Sequence, residues 1–161
     1  MVGAPRERPP RGSVASYECR VHADVLLHML MTHRIGRFGV GFDAKAMGDA
    51  PWTVVVDGAG EVTERRLGNH APGTLLPRSV RVLSNTVAAG GNRTVVLTRK
   101  RSLPGAHFNF SLSETTIPFI SAVGSGPHFA IHKSAADSIL TMLATDAPNC
   151  VCAKDPPPFG T

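Results

Sequence analysis

Long hydrophobic runs and aromatic residues are both scarce in this sequence, and each shortage excludes a class of protein. A membrane-crossing helix needs roughly 20 predominantly apolar residues in succession, and no such stretch is present. Aromatic residues are 6% of the chain, and the basic residues form no single stripe. Because nucleic-acid binding normally requires a clustered basic surface with stacking aromatics, we expect neither a membrane span nor a nucleic-acid partner.

Cysteines are also few, and the chain lacks the motifs that would give them a cofactor role. The three are Cys19, Cys150 and Cys152. No Cys-x-x-Cys-His sequence is present for covalent haem attachment, and Cys-x-Cys is too short for the usual zinc knuckle. Residues 1–10 contain no apolar segment of the kind that a secretory signal requires, so no signal peptide is predicted in this chain.

Glycine and proline, by contrast, are plentiful and spread along the chain, with 16 Gly and 13 Pro among 161 residues. This distribution favours many short strands joined by turns, and the length suits one domain. We predict a disordered Pro/Arg-rich leader over residues 1–15, a β-sandwich domain over 16–145 and an extended Pro-rich tail or linker over 146–161. The predicted fold class is all-β, with one short helix near the C-terminus.

The predicted strands follow from β-branched and alternating apolar runs. They cover residues 17–25, 25–33, 38–42, 52–56, 61–66, 79–85, 94–98 and 117–123. The run 25–33 also fits a helical stripe, but it is short and uncapped, so a strand is favoured. Residues 68–77 are predicted as a loop. Residues 133–143 alternate poorly, and Ser134 and Asp137 resemble a capping box, so the short helix is predicted there.

Two ordered motifs stand out within this pattern. In the first, a strand ending at Phe42 is followed by a loop with Met47 and by a hydrophobic strand running to Asp57. In the second, an arginine-bearing strand is followed by an Ala-x-Gly strand end at 122–124 and then by His132. This ordered pair resembles the DOMON domain, the β-sandwich of dopamine β-monooxygenase-like proteins and of the haem domain of cellobiose dehydrogenase. The resemblance implies an antiparallel, immunoglobulin-like two-sheet architecture.

The resemblance also implies a cofactor site. Haem-binding members use a Met from the first motif and a His from the second as axial iron ligands, and these fall here on Met47 and His132. The cofactor is then haem b, bound non-covalently, and the activity is one-electron transfer rather than catalysis, because protein donors fill both axial positions. We expect both ligands in loops at one end of the sandwich. Arg93 and Arg99 are expected to pair with carboxylates or with haem propionates.

Partners and location follow from the same resemblance. An electron-transfer module of this kind implies a redox partner protein, a fused domain or a neighbouring subunit, in an extracellular or organelle-lumenal setting. The alternative function is a haem-free DOMON-like binding or assembly module that recognises a carbohydrate or a protein partner, because not all DOMON domains keep the ligands.

The ligand assignment and the cysteine pairing both stay open on the sequence. Methionine most often fills a core, and other donors compete with the two favoured ones: Met29, Met31, Met142 and His128. Because the two ends of an antiparallel sandwich often lie near each other, Cys19 can bridge to Cys150 or to Cys152.

Overall fold

Eleven strands build the part of the chain that this computed structural model describes. That part comprises residues 16–22, 26–34, 36–111, 113–114, 116–124, 126, 128, 130, 132–141 and 149–153, with side chains described between residues 36 and 140. The strands are β1 (Ser16–His22), β2 (Leu26–Arg34), β3 (Arg37–Phe42), β4 (Trp52–Val56), β5 (Val62–Gly68), β6 (Ala71–Leu75), β7 (Arg81–Val87), β8 (Asn92–Lys100), β9 (Thr116–Gly124), β10 (Ser134–Thr141) and β11 (Asn149–Ala153). A single 3₁₀ turn within these ranges, Met47–Asp49, precedes β4.

The strands form two sheets that pack face to face. The five-stranded sheet has the order β11-β1-β2-β8-β7, and the six-stranded sheet has the order β10-β9-β3-β4-β5-β6. Neighbouring strands are antiparallel in both sheets. Phe38 of β3 and Val54 of β4 belong to the same buried cluster as Val95 and Leu97 of β8. This arrangement confirms the predicted all-β, two-sheet sandwich.

The central strand β3 has two different faces because side chains alternate along a strand. Phe38, Val40 and Phe42 are buried in the core between the sheets. Gly39 and Gly41 lie between them and therefore belong to the outer face of the six-stranded sheet. The strand thus has a bulky inner face and an outer face with glycine at two of its three positions, the third being Arg37.

A buried carboxylate lies in a cluster to which both sheets contribute residues. Glu64 of β5 is 1% exposed and accepts hydrogen bonds from Trp52 Nε1 at 3.0 Å and from the backbone nitrogen of Val80 at 2.8 Å. The guanidinium of Arg99, from β8 in the other sheet, lies 4.3 Å from the centre of the Trp52 ring. Burial lowers the pKa of Arg99 to about 10, and the charge of Glu64 opposes that shift. Glu64, Trp52 and Arg99 therefore form one polar cluster within the core.

The predicted C-terminal helix is wrong, because residues 134–141 form strand β10. Leu140 is buried and Ala136 and Ser138 are partly buried, whereas the residues between them are exposed, so the period is two rather than 3.6. The small residues of this segment hide the alternation in the sequence. Pairing with β9 from Ser134 to Thr141 supplies the backbone hydrogen bonds that a helix would make internally.

Two strands lie where the sequence predicts none, and one ambiguous segment is a strand as predicted. The predicted loop 68–77 contains β6, and the predicted tail 146–161 contains β11, which pairs with β1. That pairing sets Cys19 opposite Cys152 along the backbone. The segment that also fitted a helical stripe is strand β2. The predicted leader, residues 1–15, lies outside the described residues. In the described part of the chain, no helix has the length and apolar character needed to cross a membrane.

Candidate functional site

A trough opens on the outer face of the six-stranded sheet, on the side away from the core. Its cavity has a volume of about 510 Å³ and a predominantly apolar lining, within the range of roughly 300–1,000 Å³ that is typical of small-molecule sites. Gly39, Gly41, Ala122 and Ala135 are among the residues that line it. The size and lining of the trough make it the candidate binding site in the described residues.

The floor of the trough follows from the register of four strands. Gly39 of β3 lies opposite Val55 of β4 and Ala122 of β9, and Ala122 in turn lies opposite Ala135 of β10. Directly opposed residues in an antiparallel sheet point to the same face. Because these outward-facing residues are small, a depression remains where larger side chains would cover the sheet.

Neighbouring side chains close over one glycine of the floor. A Cβ atom at Gly41 would lie 2.7 Å from Thr53 Oγ1 and 3.0 Å from Pro51 Cγ, and real Cβ atoms do not approach so closely. Glycine at this position therefore lets β4 and the segment before it lie close against β3.

Met47 lines the trough from the loop between β3 and β4, where it begins the 3₁₀ turn and is partly buried. The carboxylate of Asp49 accepts hydrogen bonds from the backbone nitrogens of Lys45 at 2.8 Å and Ala46 at 3.0 Å. These two bonds lower the pKa of Asp49. Ala50 then adopts a left-handed conformation with φ 53°, and its N–H donates to the carbonyl oxygen of Met47. The turn that carries Met47 is thus fixed on both sides.

His132 lines the trough from the loop between β9 and β10, and its side chain is exposed. The next residue, Lys133, donates its backbone N–H to the carbonyl oxygen of Val123 at 2.7 Å. This bond connects the residue after His132 to Val123, the residue before the end of β9. His132 is therefore positioned beside the Gly124 end of that strand.

The two predicted ligands share one trough but come from opposite ends of it, contrary to the expectation that both lie at one end of the sandwich. Met47 follows the Phe42 end of β3, whereas His132 precedes β10, which starts at the Arg37 end. The difference arises because β3 and β9 are antiparallel, so the connections that follow them, β3–β4 and β9–β10, lie at opposite ends of the sheet.

Arg93 and Arg99 are not among the residues that line the trough. Both belong to β8 in the five-stranded sheet, where they are 9% and 2% exposed. Arg93 donates to Asn85 Oδ1 at 2.8 Å, and Arg99 donates to the carbonyl oxygen of Phe108 at 2.6 Å. Their described contacts join β8 to neighbouring segments and give them a structural role.

Basic residues that sequence reasoning missed do line the trough, namely Arg37, Lys45 and His70. Arg37 begins β3, and His70 lies in the tight turn between β5 and β6 with a positive φ of 51°. Lys45 lies in the same loop as Met47, whereas Arg37 and His70 reach the trough through the pairing of the strands that carry or flank them. Only the register of the sheet identifies Arg37 and His70.

The competing donors lie elsewhere or outside the described residues. His128 is exposed and is not a lining residue. Met29 and Met31 belong to β2 of the five-stranded sheet, and Met142 lies outside the described residues. Within the described ranges, no group of three or more His, Cys, Asp or Glu residues is arranged to hold a metal ion.

Comparisons of the chain with protein-family models, with curated proteins and with solved structures gave no match. The function is therefore argued from the trough and the residues around it.

Proposed function

We propose that this chain is a DOMON-like electron-transfer module that binds haem b non-covalently in the trough, with Met47 and His132 as axial ligands. The observation that carries the proposal is that both residues, which lie 85 positions apart in the sequence, line the same cavity. The resemblance implies this pair from two separate motifs, and the presence of both residues in the lining of one trough supports the pairing.

The chemistry of the trough also suits the group in two further respects. A thioether and an imidazole are a known pair of donors for haem iron, and Met47 and His132 would supply them. The predominantly apolar lining of the trough favours contact with an apolar macrocycle.

Asp49 and the small residues of the floor each have a definite role in this proposal. Asp49 holds the turn that presents Met47, and the small residues of the floor make room for the ring. Haem, when bound, supplies one-electron redox chemistry. Because protein donors occupy both axial positions, the module exchanges electrons with a redox partner protein, a fused domain or a neighbouring subunit. The resemblance places this exchange in an extracellular or organelle-lumenal setting.

A second candidate function is a haem-free module that binds a carbohydrate or a protein partner. Its support is the exposed polar side chains that line the trough, which include Lys45, Asn69, His70 and Asp137. Hydrogen-bond donors and acceptors around a cavity fix the orientation of a polar ligand. This function predicts a protein that folds normally and does not retain haem.

Titration of the apoprotein with hemin, followed by absorption spectroscopy, separates the two. The haem proposal predicts saturable one-to-one binding that Met47→Ala and His132→Ala each weaken and alter spectrally. His128→Ala is the matched control, because that histidine is exposed and does not line the trough. Failure of the folded wild-type protein to bind hemin would leave the binding module as the better account.

A further inference from the structure

A buried arginine lies at one end of the trough. Arg37 is 8% exposed and lines the cavity, and its backbone pairs with Gly124 at the end of β9. Its Nη1 donates a hydrogen bond to the carbonyl oxygen of Gly126 at 3.0 Å. The guanidinium is therefore held in a defined position beside the cavity.

The absence of a side chain at Gly124 allows the guanidinium of Arg37 to lie there. A Cβ atom at Gly124 would lie 2.3 Å from both Cζ and Nε of Arg37, so any other residue would displace the guanidinium. At Gly126 the corresponding distance to Arg37 Nη1 is 3.2 Å. The glycine of the Ala-x-Gly strand end thus has a local physical reason, because the guanidinium of Arg37 occupies the space that a side chain at position 124 would need.

The charges around the trough favour an anionic ligand. Its described lining residues include Arg37, Lys45 and two histidines, and Asp137 is the single acidic residue among them. The floor between them is built from small or apolar residues. Arg37 lies at one end of the cavity and Lys45 in the loop at the other. A cavity with an apolar floor and basic residues at its ends matches a ligand that has an apolar body and a carboxylate at its edge.

We propose that Arg37, seated on Gly124, is the residue of the trough that recognises a carboxylate of the bound ligand. A guanidinium offers a planar set of donors that matches a carboxylate in two-point contact. The inference rests on the proposed haem function, for which the carboxylate is a haem propionate. It places the propionate contact on Arg37 rather than on Arg93 or Arg99, and it places that contact at the same end of the trough as His132.

The test compares hemin with hemin dimethyl ester, whose esterified propionates carry no charge, in the same detergent-containing buffer. Wild-type protein is expected to bind hemin about tenfold more tightly than the ester, the difference that loss of one charge-assisted hydrogen bond implies. Arg37→Gln should weaken hemin binding by about the same factor and remove the preference over the ester. Arg66→Gln is the matched control, because Arg66 is exposed on β5 and does not line the trough.

Gly124→Ala provides a second route to the same result, because it leaves the arginine in place but displaces its guanidinium. It should reduce the preference for hemin over the ester while His132 remains able to bind iron. The wild-type comparison requires no variant, so it decides the question even if Arg37→Gln does not fold.

The outcomes separate this inference from the function on which it rests. Equal affinity of the wild type for hemin and its dimethyl ester would overturn the role of Arg37 and leave haem binding intact. A preference for hemin that persists unchanged in a folded Arg37→Gln variant would do the same. A wild-type protein that binds neither compound would overturn the haem function and this inference together.

Discussion

Asp49 holds the backbone of the turn that carries Met47. Its carboxylate accepts the backbone N–H groups of Lys45 and Ala46 and so closes the turn before Met47. The turn is exposed, so its geometry comes from these local bonds rather than from burial in a core. A change at Asp49 should therefore act on the turn that carries Met47 without unfolding the sandwich.

Asp49→Ala is expected to loosen the turn and weaken the iron–sulfur bond in the hemin complex. The measurement is the absorption spectrum and reduction potential of the complex, which a purely structural role elsewhere would not change. Asp57→Ala is the matched control, because Asp57 Oδ1 accepts the backbone N–H of Glu61 at 2.8 Å in a turn away from the trough. Identical spectra and potentials for Asp49→Ala and wild type would contradict the positioning role.

The same carboxylate predicts a pH dependence of the turn. Hydrogen bonds from Lys45 and then Ala46 lower the pKa of Asp49 from its ordinary 3.8. A group whose pKa is lowered in the folded state contributes its stabilisation fully above the ordinary value, and that contribution is lost as the pH falls through the lowered one. Amide hydrogen exchange at Lys45 and Ala46 should therefore gain protection above pH 3.8 and lose it on acidification, and Asp49→Asn should remove this dependence.

At the scale of elements, the trough depends on small residues at matched register in β3, β9 and β10. Ala122 lies at its centre, between Gly39 and Ala135, and is partly exposed. Its side chain points away from the core. A larger residue there should therefore fill the trough without disturbing the packing between the sheets.

Ala122→Leu is expected to abolish hemin binding while the unfolding midpoint in urea stays close to that of the wild type. Thr86→Leu is the matched control, because Thr86 is an exposed strand residue of β7 in the other sheet. Isothermal titration with hemin and urea denaturation measure the two quantities. Full hemin binding by Ala122→Leu would show that the ligand lies elsewhere.

The elements also show how far the sequence determines the fold. β4 and β8 could be predicted because their β-branched runs are long and bounded by turns, and the ambiguous β2 was decided correctly by its length and lack of caps. β10 could not, because its alternation is carried by Ala, Ser and Asp, whose contrast in hydrophobicity is weak. Its strand conformation comes from pairing with β9, and tertiary pairing of this kind overrides local propensity.

The candidate site was also only partly predictable, because local motifs mark some of its residues and tertiary pairing brings in the others. Met47 and His132 could be proposed because they occupy recognisable places in two ordered motifs. Arg37 could not, because its place at the trough depends on the pairing of β3 with β9. Arg93 and Arg99 were predicted as residues of the site but do not line the trough. Their sequence context gives no sign that both are buried.

At the scale of the whole molecule, the aromatic side chains that the structure describes belong mostly to the core between the sheets. Phe42 lies 5.5 Å from Trp52 and 5.2 Å from Phe110 between ring centres, and Glu64 binds the indole nitrogen of Trp52. Because Arg99 of the other sheet lies over the same indole ring, this region joins the two sheets. The stability of the sandwich should depend strongly on it.

Glu64→Ala is expected to reduce the free energy of unfolding by about 3–5 kcal/mol, the usual cost of removing one partner from a buried charged network. The backbone N–H of Val80 and the indole N–H of Trp52 would lose their acceptor. Urea denaturation measures the change, and Glu61→Ala is the control because Glu61 is exposed. A loss below about 1 kcal/mol, the range of a surface pair, would contradict the structural role of this cluster.

The central claim is that Met47 and His132 together occupy both axial positions of a haem in the trough. Its most direct test is the absorption spectrum of the hemin-loaded, dithionite-reduced wild-type protein before and after addition of carbon monoxide. The account predicts a low-spin spectrum that carbon monoxide leaves unchanged, and a Met47→Ala variant in which carbon monoxide binds. A high-spin spectrum, or ready binding of carbon monoxide by the wild type, would contradict it.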